Sequence, residues 1–184
     1  MAKIIEVETP LSEEKASALK AGDVVSITGY LYTARDAAHK RLVSLLKEGK
    51  ELPIDISNQI IYYVGPAPAK PGYACGPASP TTGYRMDPYT PILLDRGLRG
   101  MIGKGLRSKE VIESMKKNKA VYFAAVGGAA NVIARSIKKS EIIAYDDLGA
   151  EAIHRYYVEG FPAIVAIDSQ GNSLYESEPP KYAR

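Results

Sequence analysis

The chain has 184 residues, 46% of them hydrophobic, enough to bury a substantial core, and its 24 Lys and Arg against 21 Asp and Glu give a formal charge of +3. So small a surplus excludes the basic footprint of a nucleic-acid binder, and no apolar run approaches the roughly 20 residues that span a bilayer. The lone cysteine, Cys75, excludes an internal disulfide and a cubane iron–sulfur cluster ligated by this chain alone.

Acidic residues stand in the first eight positions, where a signal peptide needs an apolar core, so a cytoplasmic location is expected. A polar start leads into a short helix over 12–19 and a turn at Gly22-Asp23. Alternating β-branched and aromatic residues then predict a strand over 24–32. From Ala34 the spacing of Ala37, Ala38, Leu42, Leu45 and Leu46 becomes helical and stops at Gly49. A second strand is expected over 60–64. The next stretch, 65–80, holds five prolines and three glycines and cannot be regular. Thr81-Thr82-Gly83 precedes a helix through Leu94 with Gly97 as its stop, followed by a buried strand over 100–103. Ser108 caps a helix through Met115, with Val111, Ile112 and Met115 on one face. An apolar strand over 120–126, a Gly127-Gly128 turn, a helix over 129–137 and a strand over 141–145 follow. A hairpin pairs 163–167 with 173–175 around a turn at 168–172, and a loose tail runs from about 176. The alternation predicts an α/β fold with a mixed sheet, in a single domain over 1–184. His154 reads as a surface residue of a helix.

Chemistry concentrates where elements join. Arg35 falls where a strand becomes a helix, so its guanidinium and the free N–H groups of the new helix could hold a carboxylate. His39 is four residues on and shares a helix face with Arg35, and Asp36 would orient one of the two. The same residues could equally form a surface ion pair beside a solvated histidine. In Ser79-Pro80-Thr81-Thr82-Gly83-Tyr84-Arg85, two hydroxyls, a glycine and an arginine at a helix start make either an anion cradle or an ordinary N-cap. Lys104, between Gly103 and Gly105 at a strand's carboxyl end, could reach into an α/β crevice or belong to a plain loop. The rest of a P-loop is absent around it, which argues against nucleotide phosphate. Gly127-Gly128-Ala129-Ala130 could cradle an anion but fits close packing better. No catalytic partners surround Cys75.

These stretches, in this order, resemble the carboxyl-terminal or β-subunit module of class I fumarases and L(+)-tartrate dehydratases. The resemblance rests on Gly29 through Arg41, on Ile61-Tyr62-Tyr63-Val64-Gly65-Pro66, on Pro80 through Asp87, on Gly103-Lys104-Gly105 and on Gly127 through Ala130. Ser79-Pro80 precedes the threonines here, where that family often reads Gly-Pro.

The resemblance implies a swivelling β/β/α domain with a mixed sheet flanked by helices. It implies a cysteine-bearing α-subunit that holds a [4Fe–4S] cluster, in a hetero-oligomer active only when both chains are present. Thr81 matches the proposed catalytic base, and Arg35, Arg85 and Lys104 match the residues that grip the carboxylates of a dicarboxylate substrate. Asp36, His39 and Thr82 take supporting roles, and no residue of this chain ligates metal. The implied reaction is reversible hydration of fumarate to malate. A tartrate or related hydroxy-dicarboxylate dehydratase subunit is the close alternative, and a non-catalytic metabolite-binding module is the alternative of another class.

Overall fold

A computed structural model describes residues 3–125 and 130–182 of the chain. Five strands, β1 (Ile4–Glu8), β2 (Val24–Thr33), β3 (Ile60–Tyr62), β4 (Gly100–Gly103) and β5 (Val121–Ala124), lie side by side in chain order, each parallel to the next. Helices α1 (Glu13–Ala18), α2 (Asp36–Lys47), α3 (Thr90–Asp95) and α4 (Lys109–Asn118) make the crossovers that parallel pairing requires. After α5 (Ala130–Ser136), β6 (Ile137–Ala144) turns back through a 3-10 segment, Asp146–Glu151, into the long β7 (Ile153–Ile167). β7 runs antiparallel to β6, β5 and β2 at once, so it closes the sheet into a small barrel-like core. The chain is thus mixed α/β, with seven strands among the described residues, flanked by helices.

Local chemistry accounts for the helix starts. The Ser12 hydroxyl accepts from the Lys15 N–H at 3.2 Å and the Ser108 hydroxyl from the Val111 N–H at 3.3 Å, each worth about 1 kcal/mol as a cap. Glu110 in the first turn of α4 and Lys116 and Lys117 in its last complement the helix dipole.

Strand residues alternate between two fully buried clusters. Val25, Ile27, Leu31, Ile60, Tyr62, Ile102, Val121 and Phe123 fill one, while Ile61, Tyr63, Met101 and Tyr122 face the other with Leu42, Leu93, Leu94, Val111 and Met115 from the crossover helices. Burial on both faces is why β3, β4 and β5 read as short continuous apolar runs.

Several elements differ from the sequence expectation. β1 stands where the sequence shows only a polar start, because it is an edge strand in which Val7 alone is buried. β7 extends ten residues before the expected 163–167, and His154 lies on this strand rather than on a helix. The helix expected over 129–137 ends at Ser136, with Ile137 already in β6, and Tyr145 lies beyond that strand. The helix expected after Gly83 and through Leu94 is a 3-10 turn, Gly83–Met86, followed by α3. The closing hairpin shrinks to one bridge between Ile167 and Ser173, after which α6 (Leu174–Ser177) and α7 (Pro179–Tyr182) form.

Candidate functional site

Because β2, β3 and β4 are parallel, the segments that leave their carboxyl ends gather at one end of the sheet, the usual place for ligands in parallel α/β folds. Arg35 and Asp36 follow β2, the segment Tyr63 to Thr82 follows β3, and Lys104 follows β4. The proline-rich stretch returns to this end, where the Thr81 N–H donates to the Tyr63 carbonyl at 2.7 Å. Thr82 then forms an isolated parallel bridge with Lys104: the Gly83 N–H donates to the Lys104 carbonyl at 2.8 Å and the Lys104 N–H to the Thr81 carbonyl at 3.3 Å. Backbone bonds therefore hold the two threonines beside the lysine.

Thr82 occupies the cap position of the 3-10 turn without its side chain making a cap bond. The ordinary N-cap reading of this threonine does not hold. Lys104, Tyr84 and Arg85 are exposed, and Gly83 is buried. A Cβ on Gly83 would lie 2.5 Å from the Tyr122 hydroxyl and one on Gly103 would lie 3.0 Å from it, so both positions exclude a side chain by close approach.

Arg35 stands in extended backbone at the start of α2, with no side-chain cap bond. Its Nε is 3.8 Å from Asp36 and 3.9 Å from Glu151, distances of an ion cluster rather than of direct hydrogen bonds. A Cβ on Gly65 would sit 3.1 Å from the Arg35 guanidinium, so the glycine after Val64 leaves room for that side chain. Asp36 instead accepts from Arg85 Nε at 3.0 Å, which draws the 3-10 turn against the start of α2. Arg35, Asp36, Arg85 and Glu151 thus form one charged cluster. Glu151, absent from the sequence reading, approaches the α2 terminus as well, where the Ala37 N–H donates to it at 3.5 Å.

His39 points away from this cluster. It is fully buried, its Nδ1–H donates to the Arg35 carbonyl at 2.8 Å, and its ring lies 5.3 Å from that of Tyr63. Burial lowers its pKa to about 4, with the Arg107 charge adding to the effect and the Arg35 carbonyl and Asp36 opposing it. The imidazole is neutral and holds the backbone of Arg35 from beneath.

Arg107 lies outside every motif read from the sequence, and Asp87, which ends the Pro80 to Asp87 stretch, has no role assigned there. The Arg107 side chain is wholly enclosed and donates to Asp87 at 2.6 Å, to Thr90 at 2.9 Å and to the Tyr63 hydroxyl at 3.3 Å. Burial is the largest influence on its pKa and acts downward, but Tyr63 and Asp87 outweigh it and leave the net shift upward. Nothing local marks these two residues as a pair; only the fold brings them together.

Residues 1–178 match the family described as Fumarase C-terminus. The chain belongs to this family. Among Fumarase C-terminus relatives, the anaerobic class I fumarate hydratase of Escherichia coli is 40% identical over 154 residues, covering 83% of this chain and 28% of that protein. Fumarate hydratase 2 of Leishmania major is 35% identical over 175 residues, 93% of this chain and 31% of that protein. A protein of Methanocaldococcus jannaschii named as a putative L(+)-tartrate dehydratase subunit beta is 38% identical over 172 residues, 90% of this chain and 88% of that protein. The chain therefore spans about three tenths of the length of the fumarate hydratases it matches, and it is a module of the class I fumarate hydratase and tartrate dehydratase β type.

The donor set of this module does not suit an iron–sulfur cluster. Its one thiol, Cys75, is buried and pushed up to about 11 by that burial, and among the described residues no three His, Cys, Asp or Glu side chains converge as metal ligands. Gly127, Gly128 and Ala129 of the last motif lie outside the described residues; Ala130 opens α5. Among the described residues no helix is long and apolar enough to cross a membrane.

Proposed function

We propose that this chain is the dicarboxylate-gripping and proton-transferring part of a hydro-lyase that interconverts fumarate and malate. The observation that carries this reading is the joining of Thr81, Thr82 and Lys104 by backbone bonds at the end of the sheet where Arg85 and Arg35 both approach Asp36. In this reading Arg35, Arg85 and Lys104 pair with the two substrate carboxylates, and Thr81 takes the proton from the carbon next to one of them. Loss of that proton moves negative charge onto the neighbouring carboxylate, and cations already paired with it lower the barrier. That electron pair then forms the fumarate double bond as the C–O bond breaks and hydroxide leaves, which an iron–sulfur cluster of the partner would accept as a Lewis acid. A threonine hydroxyl is a weak base, so Thr81 depends on Lys104, bonded to it through the backbone, to stabilise its deprotonated form. Thr82 supplies a second hydroxyl, Asp36 orients Arg85, and His39 holds the backbone of Arg35.

The [4Fe–4S] cluster belongs, on this reading, to a cysteine-bearing partner, since this chain has a single enclosed thiol. The word subunit in the name of the Methanocaldococcus jannaschii relative supports a separate α-subunit. An open site supports it too: Arg85, Lys104, Tyr84 and Leu106 are exposed, and proton transfer from a weakly acidic carbon needs water excluded. Tartrate is the competing substrate, supported by that same relative.

Replacing Arg35 or Lys104 by Ala tests the assignment. In the assembled enzyme each change should lower kcat/KM by about a hundredfold or more while the chain still folds and assembles. Turnover that survives both changes would remove the proposed site.

A further inference from the structure

Arg107 touches no proposed substrate-binding group, yet it is enclosed and hydrogen-bonded to Asp87, Thr90 and Tyr63. Its guanidinium carbon lies 5.4 Å from the Tyr63 ring centroid and 4.8 Å from that of Tyr122, so it stands over two aromatic rings. Asp87 is equally committed, with one oxygen taking Arg107 Nε–H at 2.6 Å and the other the Ser108 N–H at 2.6 Å. A buried ion pair of this kind loses about as much in desolvation as it gains in attraction, and well-packed apolar residues would serve stability as well. Stability therefore does not account for it; its location does.

Asp87 directly follows the 3-10 turn that carries Arg85, and Arg107 lies three residues beyond Lys104. The ion pair and the Ser108 bond join these two segments from below, while the Gly83 to Lys104 bonds join them at the site. The stem of Arg107 runs directly under that bridge, its Cδ 2.9 Å from where a Gly83 Cβ would stand.

We propose that Arg107 is a positioning residue: its planar fork, through Asp87, fixes Lys104 in register with Thr81, Thr82 and Arg85 and so sets the spacing at which cations and base meet a substrate. The structural half of this proposal stands on geometry, and its catalytic consequence rests on the function proposed above.

Two variants test it. Arg107→Lys keeps the charge and loses the fork. Asp87→Asn combined with Arg107→Met removes both ions together, which spares the fold an unpaired buried charge. Amide hydrogen exchange on the full chain should quicken at least about tenfold at Gly83 and Lys104 in both variants, with Val121 and Phe123 of the β4–β5 ladder unchanged. In the assembled enzyme kcat should fall about ten- to a hundredfold, with a smaller change in KM, because displaced groups reduce reaction more than encounter. Unchanged exchange at Gly83 and Lys104 overturns the proposal, and so does equal quickening throughout the ladder, which would mark a merely structural residue. If the wild-type assembly turns over no hydroxy-dicarboxylate, the functional reading fails, and the exchange pattern still decides the role of Arg107.

Discussion

His39 shows how one residue of a motif can serve a site without facing it. Its imidazole is enclosed beside Tyr63 and Tyr89 and is neutral at neutral pH. Burial depresses its folded pKa to about 4 from the ordinary 6.5, so between these values the unfolded chain binds a proton that the folded chain refuses. Stability should therefore be unaffected by this group at neutral pH and fall as pH drops from about 6.5 toward 4, by about 3 kcal/mol in all. Denaturant titrations of wild type and His39→Asn across that window check it: the variant starts less stable but shows a shallower loss, and parallel curves would contradict the assignment. Tyr122 offers a second test at this scale. Its hydroxyl is buried without a hydrogen-bond partner and lies where a Gly83 Cβ would project. Gly83→Ala should destabilise the chain by about 1–3 kcal/mol through this overlap. Adding Tyr122→Phe, which removes the oxygen, should restore part of the loss in thermal melts, and no recovery would place the strain elsewhere.

Among the elements, legibility followed how local the determining force is. The Ser108 cap and the apolar runs of β3, β4 and β5 are readable because hydroxyl capping and two-sided burial leave marks within a few residues. β7 was legible only in its last five residues. Its first ten, from Ile153 to Pro162, mix buried Tyr156 and Val158 with half-buried His154 and Arg155, because that stretch is shared between β2 on one side and β6 on the other. β1 was missed because an edge strand with one buried residue has no period to detect. The candidate site was legible as motifs, not as an arrangement. Arg35, Thr81, Arg85 and Lys104 could be named from the sequence. The Asp36–Arg85 pair, the Glu151 approach to α2 and the Arg107–Asp87 pair join residues 20 to 114 positions apart, and only the folded sheet end brings them together.

For the whole molecule, the parallel order of β2, β3 and β4 is the decisive fact, because it sends three separate motifs to one end of the sheet while β7 closes the barrel behind them. That end carries cations and hydroxyls but no cluster-binding thiols, and it is open. The function proposed here requires another polypeptide segment to supply the cluster. The most direct measurement is to co-express the chain with its candidate cysteine-bearing partner under anaerobic conditions, reconstitute with iron and sulfide, and follow fumarate absorbance with malate and then turnover of tartrate. Fumarate should form from malate when both components are present and from neither alone; turnover of tartrate only would move the substrate within the family. An intact, cluster-loaded assembly that acts on neither would contradict the account and leave the chain as a metabolite-binding module.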